Sequence, residues 1–117
     1  MSKIVQVVNT MISNKDKITD VLPHKNEYFF LYDAKYKWSV SYNKEEDAYW
    51  IYIYTTTKSL EEIREITDWD SFSDFTYYST KEIKTRESYE SFNELYQIVS
   101  EKAFGLDSIF DDIILNG

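Results

Sequence analysis

Two segments of the chain combine residue types that could bind another protein. The first holds the acidic residues Glu45, Glu46 and Asp47, and the second holds Asp68, Trp69, Asp70, Phe72 and Asp74. Aromatic rings surrounded by carboxylates are typical of binding hot spots directed at basic protein surfaces. We therefore predict that these residues bind a basic partner, with the alternative that Trp69 and Phe72 fill the core beneath a loop.

Carboxylates in the second half of the chain also suggest an oxygen-ligand site for magnesium or calcium. The candidate ligands are Glu61, Glu62 and Glu65, or Asp68, Asp70 and Asp74. Neither set is accompanied by the glycine of a calcium loop or by a terminal bidentate Glu in register. We interpret them as solvated faces and as helix-start charges that the helix dipole favours, so we predict no metal site.

Catalytic motifs are not recognisable in the chain. A Ser-His-acid triad would depend on His24, the only histidine, which has no nucleophile-elbow glycines around it and is interpreted as a loop residue. A phosphate-binding loop needs several glycines, and the chain has only Gly105 and Gly117. Zinc ligands are too few, and the abundance of Asp and Glu makes any proposed acid–base pair unspecific. We predict no catalytic residue and no cofactor.

The acidic balance of the chain restricts its partners. The sequence has 13 Lys and Arg against 21 Asp and Glu, a formal net charge of −8 at pH 7. Because affinity for nucleic-acid phosphates comes chiefly from Lys and Arg, we expect no direct binding to DNA or RNA. An acidic surface attracts basic proteins over long range, which favours the same partner class as the two segments above.

Cysteine content and hydropathy indicate a protein of the cell interior. The chain has no Cys, which excludes disulfides and thiolate sites and fits a reducing compartment. No stretch approaches the roughly 18 apolar residues that a membrane-spanning helix needs. The first residues are not followed by a small-residue cleavage site. We expect a cytoplasmic protein that is neither secreted nor inserted in a membrane.

Aromatic residues make up 18% of the chain, with 11 Tyr, 7 Phe and 3 Trp. Each ring buries a large area, and Tyr and Trp also suit a surface that is partly wet. We interpret the rings chiefly as core filling in a domain with few Leu. The alternative is that Tyr and Trp on the sheet line a pocket for a small ligand.

Helical periodicity marks several segments. Ser2 is predicted to cap a first helix that ends near Asn14, or that continues, kinked, as far as Pro23. Ser59 and Glu62 form a predicted capping box that opens a short second helix. Ser88 is predicted to cap a long helix ending at Gly105, and Asp107 to cap a last short helix.

Strand-like patterns fill the rest. Residues 35–42 alternate fully, which predicts a half-buried strand with Tyr36, Trp38, Val40 and Tyr42 on one face. Residues 28–32 and 49–54 are apolar on both faces and need partial cover on both sides. Short polar connections favour an antiparallel meander. Residues 76–83 predict a fourth strand, and residues 68–75 fit either a helical turn or a loop held by its rings.

The resulting element order, α-β-β-β-α-β-α-α, predicts one α+β domain spanning residues 1–117. It consists of a mainly antiparallel four-stranded sheet with helices packed on one face. Bacterial secretion chaperones and several toxin-immunity proteins resemble the chain in this coarse order and in their acidic balance. The resemblance is one of fold and charge, and it assigns no function.

Three functions are consistent with these observations. The first is a non-enzymatic inhibitor or immunity-type antagonist of a basic, nucleic-acid-handling partner. The second is a secretion-type chaperone or adaptor that holds a client through its first helix or a sheet edge, as a homodimer. The third is a small-ligand binder or an enzyme that uses Asp or Glu. The choice between monomer and homodimer stays open.

Overall fold

The computed structural model describes residues 2–117, which form helices and one sheet. The helices are α1 (Lys3–Ser13), α2 (Leu60–Arg64), α3 (Thr80–Ile83), α4 (Arg86–Ala103) and α5 (Leu106–Asn116). The strands are β1 (Ile18–His24), β2 (Glu27–Tyr32), β3 (Tyr36–Asn43), β4 (Ala48–Tyr54) and β5 (Phe75–Ser79). Short 3-10 turns lie at Lys15–Lys17 and Trp69–Ser71. The α+β class and the antiparallel sheet are confirmed.

The sheet is an antiparallel meander of five strands in the order β1-β2-β3-β4-β5, so the predicted count of four was wrong. The missed strand, β1, occupies residues that the helical spacing of Ile18 and Leu22 assigned to a continuation of α1. Pro23 does not stop a helix here but lies in the edge strand, where it pairs with Tyr28. Proline is tolerated in an edge strand because its missing N–H removes no hydrogen bond between central strands. The register shifts between Thr19 and Leu22.

The hairpin connections follow the predicted turns. Between β2 and β3, Asp33 and Ala34 adopt positive φ angles of 57° and 59°. Lys35 N donates to Tyr32 O at 3.3 Å, which closes the turn. A two-residue turn whose central residues have positive φ matches the twist of antiparallel strands. The turn therefore joins β2 and β3 as antiparallel neighbours, as predicted.

One face of the sheet packs against α1 and α4. Val8, Phe30, Val40, Phe92 and Val99 are all fully buried between these layers. The predicted alternation of β3 is correct for this face, because Trp38 and Val40 point into the core. The predicted start and end of the first helix are also correct. Ser2 caps α1, which ends at Ser13 before Asn14.

The opposite face carries a second, smaller core, so the prediction that helices cover only one face was wrong. Phe29, Tyr54, Leu60 and Ile63 form it, with α2 as its cover. Phe29 faces α2 because it alternates with Phe30 along β2. The α2 capping box of Ser59 and Glu62 is present as predicted. Strands β2 and β4 are therefore covered on both faces, as their composition indicated.

The predicted fourth strand is only half correct. The strand β5 ends at Ser79, whose side chain accepts a hydrogen bond from Lys81 N and caps α3. Thr80 Oγ1 then accepts from Tyr49 N at 3.0 Å, which ties this helix to β4. A side-chain cap thus converts residues 80–83 from the predicted strand into a helical turn.

The caps of the last two helices also differ from the prediction. Thr85 caps α4, while Ser88 lies in its first turn, fully buried, and donates to Thr85 O at 2.8 Å. Gly105, at a φ of 72°, precedes α5 directly. Asp107 does not cap α5 but forms an ion pair with Lys102 at 3.4 Å. Within residues 2–117, no helix is long and apolar enough to cross a membrane.

Candidate functional site

A cleft opens on the side of the sheet that carries the second core. Its volume is about 360 Å³, and it is lined by Glu27, Tyr52, Tyr54, Trp69, Phe75 and Tyr77. The strand register places most of these side chains. Tyr52 pairs with Tyr77, and Tyr54 pairs with Phe75, across β4 and β5. Because strand residues two apart share a face, two cross-strand pairs produce a continuous aromatic wall.

The rings of this wall contact one another closely. The Tyr52 centroid lies 5.9 Å from Tyr77 and 5.8 Å from Phe75. Trp69 stands at 88° to Phe75, with centroids 5.7 Å apart, and so forms a corner of the cleft. Trp69 is 36% exposed and Tyr77 is 44% exposed, so both rings reach solvent at the mouth.

The loop that precedes β5 holds Trp69 in place. Ser71 Oγ donates to Asp68 Oδ2 at 2.7 Å, which closes the 3-10 turn that carries the indole. Phe72 stacks on Phe75 at 5.8 Å and meets the Trp69 ring at 5.5 Å. Thr55 N donates to Asp74 O at 2.8 Å and fixes the loop to the end of β4. Both predicted alternatives are therefore present, because a 3-10 turn at Trp69–Ser71 lies within a loop that its rings hold in place.

Glu27 is the only carboxyl group among the lining residues. Ser39 Oγ donates to Glu27 Oε2 at 2.8 Å, and Ser39 Oγ also lies 2.8 Å from the Tyr54 hydroxyl. Since the single Ser39 proton points to Glu27, the Tyr54 hydroxyl is the donor in the second bond. These three side chains form a hydrogen-bonded row from the aromatic wall to the carboxylate.

Burial raises the pKa of Glu27, and the hydrogen bond from Ser39 and the nearby His24 offset part of that rise. The physical cause is desolvation, which disfavours the charged form of an acid. Burial, together with the charge of Glu27, also raises the pKa of Tyr54. Tyr54 is thus a hydrogen-bond donor at neutral pH and not a base.

The site is suited to binding a positive charge. No Lys or Arg of residues 2–117 forms an ion pair with Glu27. Aromatic rings attract cations through their negative faces, most strongly when the cation is desolvated. A cation in the cleft would therefore meet both the rings and a carboxylate whose burial it compensates. Ser39 is fully buried and is out of reach of a substrate as a nucleophile.

The second predicted segment contributes to the cleft directly. Trp69 lines it, and Phe72 lies behind it in the second core. Asp68, Asp70 and Asp74 are exposed on the same loop. Each of the two predicted positions is therefore occupied by one ring: Trp69 is exposed at the mouth of the cleft, and Phe72 packs in the core beneath the loop.

The first predicted segment lies elsewhere. Glu45, Glu46 and Asp47 form the turn between β3 and β4, at the end of β4 opposite to Tyr54. A seven-residue strand separates the two acidic segments by roughly 20 Å. The structure does not bring them together.

Two of the three acidic residues of this turn, Glu46 and Asp47, are engaged in internal contacts. Asp47 accepts hydrogen bonds from Tyr89 at 2.6 Å and Tyr42 at 2.8 Å, and these bonds lower the pKa of Asp47. Glu46 pairs with Lys81 at 3.1 Å. The turn therefore joins the sheet to α3 and α4.

Sequence reasoning missed most of the cleft. Glu27 lies one residue before the predicted strand 28–32, and Phe75 was placed in the helical turn or loop before the fourth strand. Tyr52, Tyr54 and Tyr77 were assigned to strands without a common face. The available signal was the repeated aromatic-x-aromatic spacing of β4 and β5, which places two rings on the same side of each strand.

No three His, Cys, Asp or Glu side chains of the described chain converge as a metal site. This applies to Glu61, Glu62 and Glu65 and to the aspartates of residues 68–74. Comparison with protein-family models, with curated proteins and with solved structures found no match for the chain.

Proposed function

We propose that the chain is a non-enzymatic binding protein that takes a cationic side chain of a basic protein partner into its aromatic cleft. The observation that supports this is Glu27, a partly buried carboxyl group that faces aromatic rings, accepts a hydrogen bond from Ser39 and forms no ion pair within residues 2–117. Partial burial disfavours the charged form of this carboxyl group in the free protein. A cation from outside would supply the missing partner.

The surroundings of the cleft favour a protein as the source of that cation. Trp69 and Tyr77 are exposed at the mouth, and Trp and Tyr are enriched in binding hot spots. The exposed Asp68, Asp70 and Asp74 lie on the loop that carries Trp69, and the chain has a net charge of −8. Such a surface attracts and orients a basic protein before contact.

An inhibitor or immunity-type role is the biological form that we propose for this binding. If the inserted Lys or Arg belongs to an active or nucleic-acid-binding surface, the acidic domain would cover that surface and compete with the phosphates it normally binds. The domain would then act in the cytoplasm, as monomer or homodimer, without binding nucleic acid itself.

Affinity capture with matched variants tests the proposal. Tagged wild type, Glu27→Gln and Glu94→Gln would be incubated with host lysate at low and high salt. Glu94 is exposed on α4, so its variant has the same change of net charge outside the cleft. We expect a basic protein that wild type and Glu94→Gln retain at low salt and Glu27→Gln does not. Equal retention by all three would contradict the role of the cleft.

A direct titration locates the cation. Addition of arginine amide to ¹⁵N-labelled protein should shift the indole N–H resonance of Trp69, assigned from the Trp69→Phe variant, more than that of Trp50. Glu27→Gln should weaken this binding about tenfold or more, since charge-assisted contacts are worth roughly 1.5–3 kcal/mol. A Trp69 signal that does not respond in wild type would exclude the cleft as the cation site.

The adaptor function is the second candidate, because α5 exposes an apolar stripe. Ile109, Phe110, Ile113 and Ile114 are 51%, 45%, 60% and 78% exposed. The helix contains three Asp and no basic residue, so we propose an amphipathic basic segment of a client as its occupant.

In this second candidate the client binds α5, whereas the sequence suggested the first helix or a sheet edge. The apolar side of α1 is buried in the core, with Val8 and Met11 at 0% and 1% exposure. Titration with a basic amphipathic peptide should perturb α5 resonances, and Ile113→Asn should reduce that effect. A stable dimer by light scattering that Ile113→Asn dissociates would instead show that a second copy covers the helix.

A further inference from the structure

A second groove lies on the other face of the sheet, between α1 and the strands β2 and β3. Its volume is about 440 Å³. It is lined by Lys3, Gln6, Val7, Thr10, Met11, Tyr32, Tyr36 and Trp38. Most of this lining is apolar, as in pockets that bury small organic molecules.

The groove contains a buried polar group without a partner. Trp38 is 6% exposed, and its ring is stacked on Phe30 at 6.4 Å with an interplanar angle of 11°. Its indole Nε1 is buried and has no hydrogen-bond acceptor among the described residues. Buried donors are rarely left unpaired, because an unmade hydrogen bond costs free energy. An acceptor from beyond the described residues would satisfy this donor.

The charge of the groove is opposite to that of the aromatic cleft. Its lining includes the cation Lys3 and no carboxyl group, whereas the cleft contains Glu27 and no cation. Lys35 lies 5.0 Å from the centre of the Tyr36 ring but is paired with Asp33 at 4.0 Å, so Lys3 is the main source of positive charge at this rim. Local charge thus favours an anionic ligand here, despite the acidic balance of the whole chain.

We propose that this groove binds an amphipathic carboxylic acid. The apolar tail lies against Val7, Met11 and Tyr32, and a carboxylate oxygen accepts the hydrogen bond of Trp38 Nε1. The ammonium group of Lys3 attracts the carboxylate at the rim. Because Nε1 is covered in the ligand-free protein, a lining side chain moves on binding, and the Tyr36 ring, 53% exposed, is placed to do so.

Ligand titration followed by the Trp38 indole resonance tests the proposal. The probes are octanoate, octanol and octylammonium, which share a tail and differ in the polar group. Octanoate should move the Trp38 N–H signal downfield, as expected for a new acceptor, and should bind about tenfold more tightly than octanol, the factor that corresponds to 1.4 kcal/mol. Octylammonium should bind more weakly than either.

Two variants refine the result. Lys3→Gln, at an exposed position, should weaken octanoate several-fold and leave octanol unchanged. Glu27→Gln should leave octanoate binding unchanged, so a failure of the aromatic cleft and a failure of this groove can be told apart. Equal affinities of the three probes, or a Trp38 signal that shows contact only with a bound water, would overturn the proposal.

Discussion

At the scale of single residues, Glu27 is the group through which we propose that stability and binding are linked. Its carboxylate is held by Ser39 beneath aromatic rings, in a position that raises its pKa. Carboxyl groups whose pKa is raised by burial in a cleft occur often at functional sites. The same residue should therefore respond in opposite ways to tests of stability and of binding.

Glu27→Gln is expected to raise the melting temperature at neutral pH by a few degrees. Folding raises the Glu27 pKa, so the native state binds a proton more tightly than the unfolded chain, and the wild type loses stability as pH rises above the ordinary Glu value. Gln avoids that loss and can still accept from Ser39.

Circular-dichroism melts between about pH 4 and pH 8 check this sign. The difference between variant and wild type should be small at the acid end and should widen as pH rises. Glu94→Gln, the exposed control, should show no such trend, and a Glu27→Gln protein that is less stable than wild type at neutral pH would contradict the assignment.

At the scale of elements, α4 and α5 are consecutive helices with contrasting roles. The helix α4 buries Phe92, Leu95 and Val99 completely against α1 and the sheet. The helix α5 has no buried residue and is held to α4 by few groups, among them the ion pair of Lys102 and Asp107. Burial of apolar area is the main stabilising term, so the two helices should differ sharply in their contribution to stability.

Phe92→Ala is expected to destabilise the fold by about 3–5 kcal/mol, because it leaves a cavity between α4 and the sheet. Phe104→Ala is the matched control, since that ring is 68% exposed and its loss should cost less than roughly 0.5 kcal/mol. Urea unfolding of both variants measures the difference, and similar midpoints would contradict the placement of the core.

Removal of residues 106–117 should change the free energy of unfolding by less than about 1 kcal/mol. The helix α5 has no buried residue, and an ion pair such as that of Lys102 and Asp107 contributes no more than this. The shortened chain should keep its cation binding in the aromatic cleft. A large loss of stability on truncation would show that the apolar stripe of α5 is covered in solution.

At the scale of the whole molecule, the depressions on the two sheet faces are lined by opposite charges, Glu27 in the aromatic cleft and Lys3 in the groove beside α1. The net charge of −8 acts over long range, whereas we propose that the aromatic cleft and the groove beside α1 select charges of opposite sign at short range. Long-range attraction chiefly affects how fast a charged partner associates, and buried contacts chiefly affect how slowly it leaves.

Asp70→Asn should therefore reduce the association rate of the captured basic partner, and Glu27→Gln should increase its dissociation rate. Raising salt from about 0.05 M to 0.5 M should slow association roughly tenfold or more and should diminish the Asp70→Asn effect. Surface plasmon resonance with the partner immobilised separates the two rates. Dissociation that is unaffected by Glu27→Gln would place the partner outside the cleft.

Local sequence patterns were sufficient for much of the fold and for little of the site. Ser2, the Ser59 capping box and the alternation of residues 35–42 act over a few residues, so periodicity and side-chain caps predicted α1, α2 and β3. Where two local signals competed, as at Ile18 and Pro23 or at Ser79 and Ser88, the outcome depended on edge pairing and on packing against distant elements.

What the sequence by itself determined is the charge, the aromatic content, the α+β class and the starts of α1 and α2, because composition and local geometry act along the chain. Only the tertiary structure decided that Glu27 meets Ser39 and Tyr54, that Trp69 closes the cleft, and that Trp38 lacks an acceptor. These relations depend on the register of neighbouring strands and on which face each residue occupies. A shift of one residue in a strand would exchange its faces and abolish them.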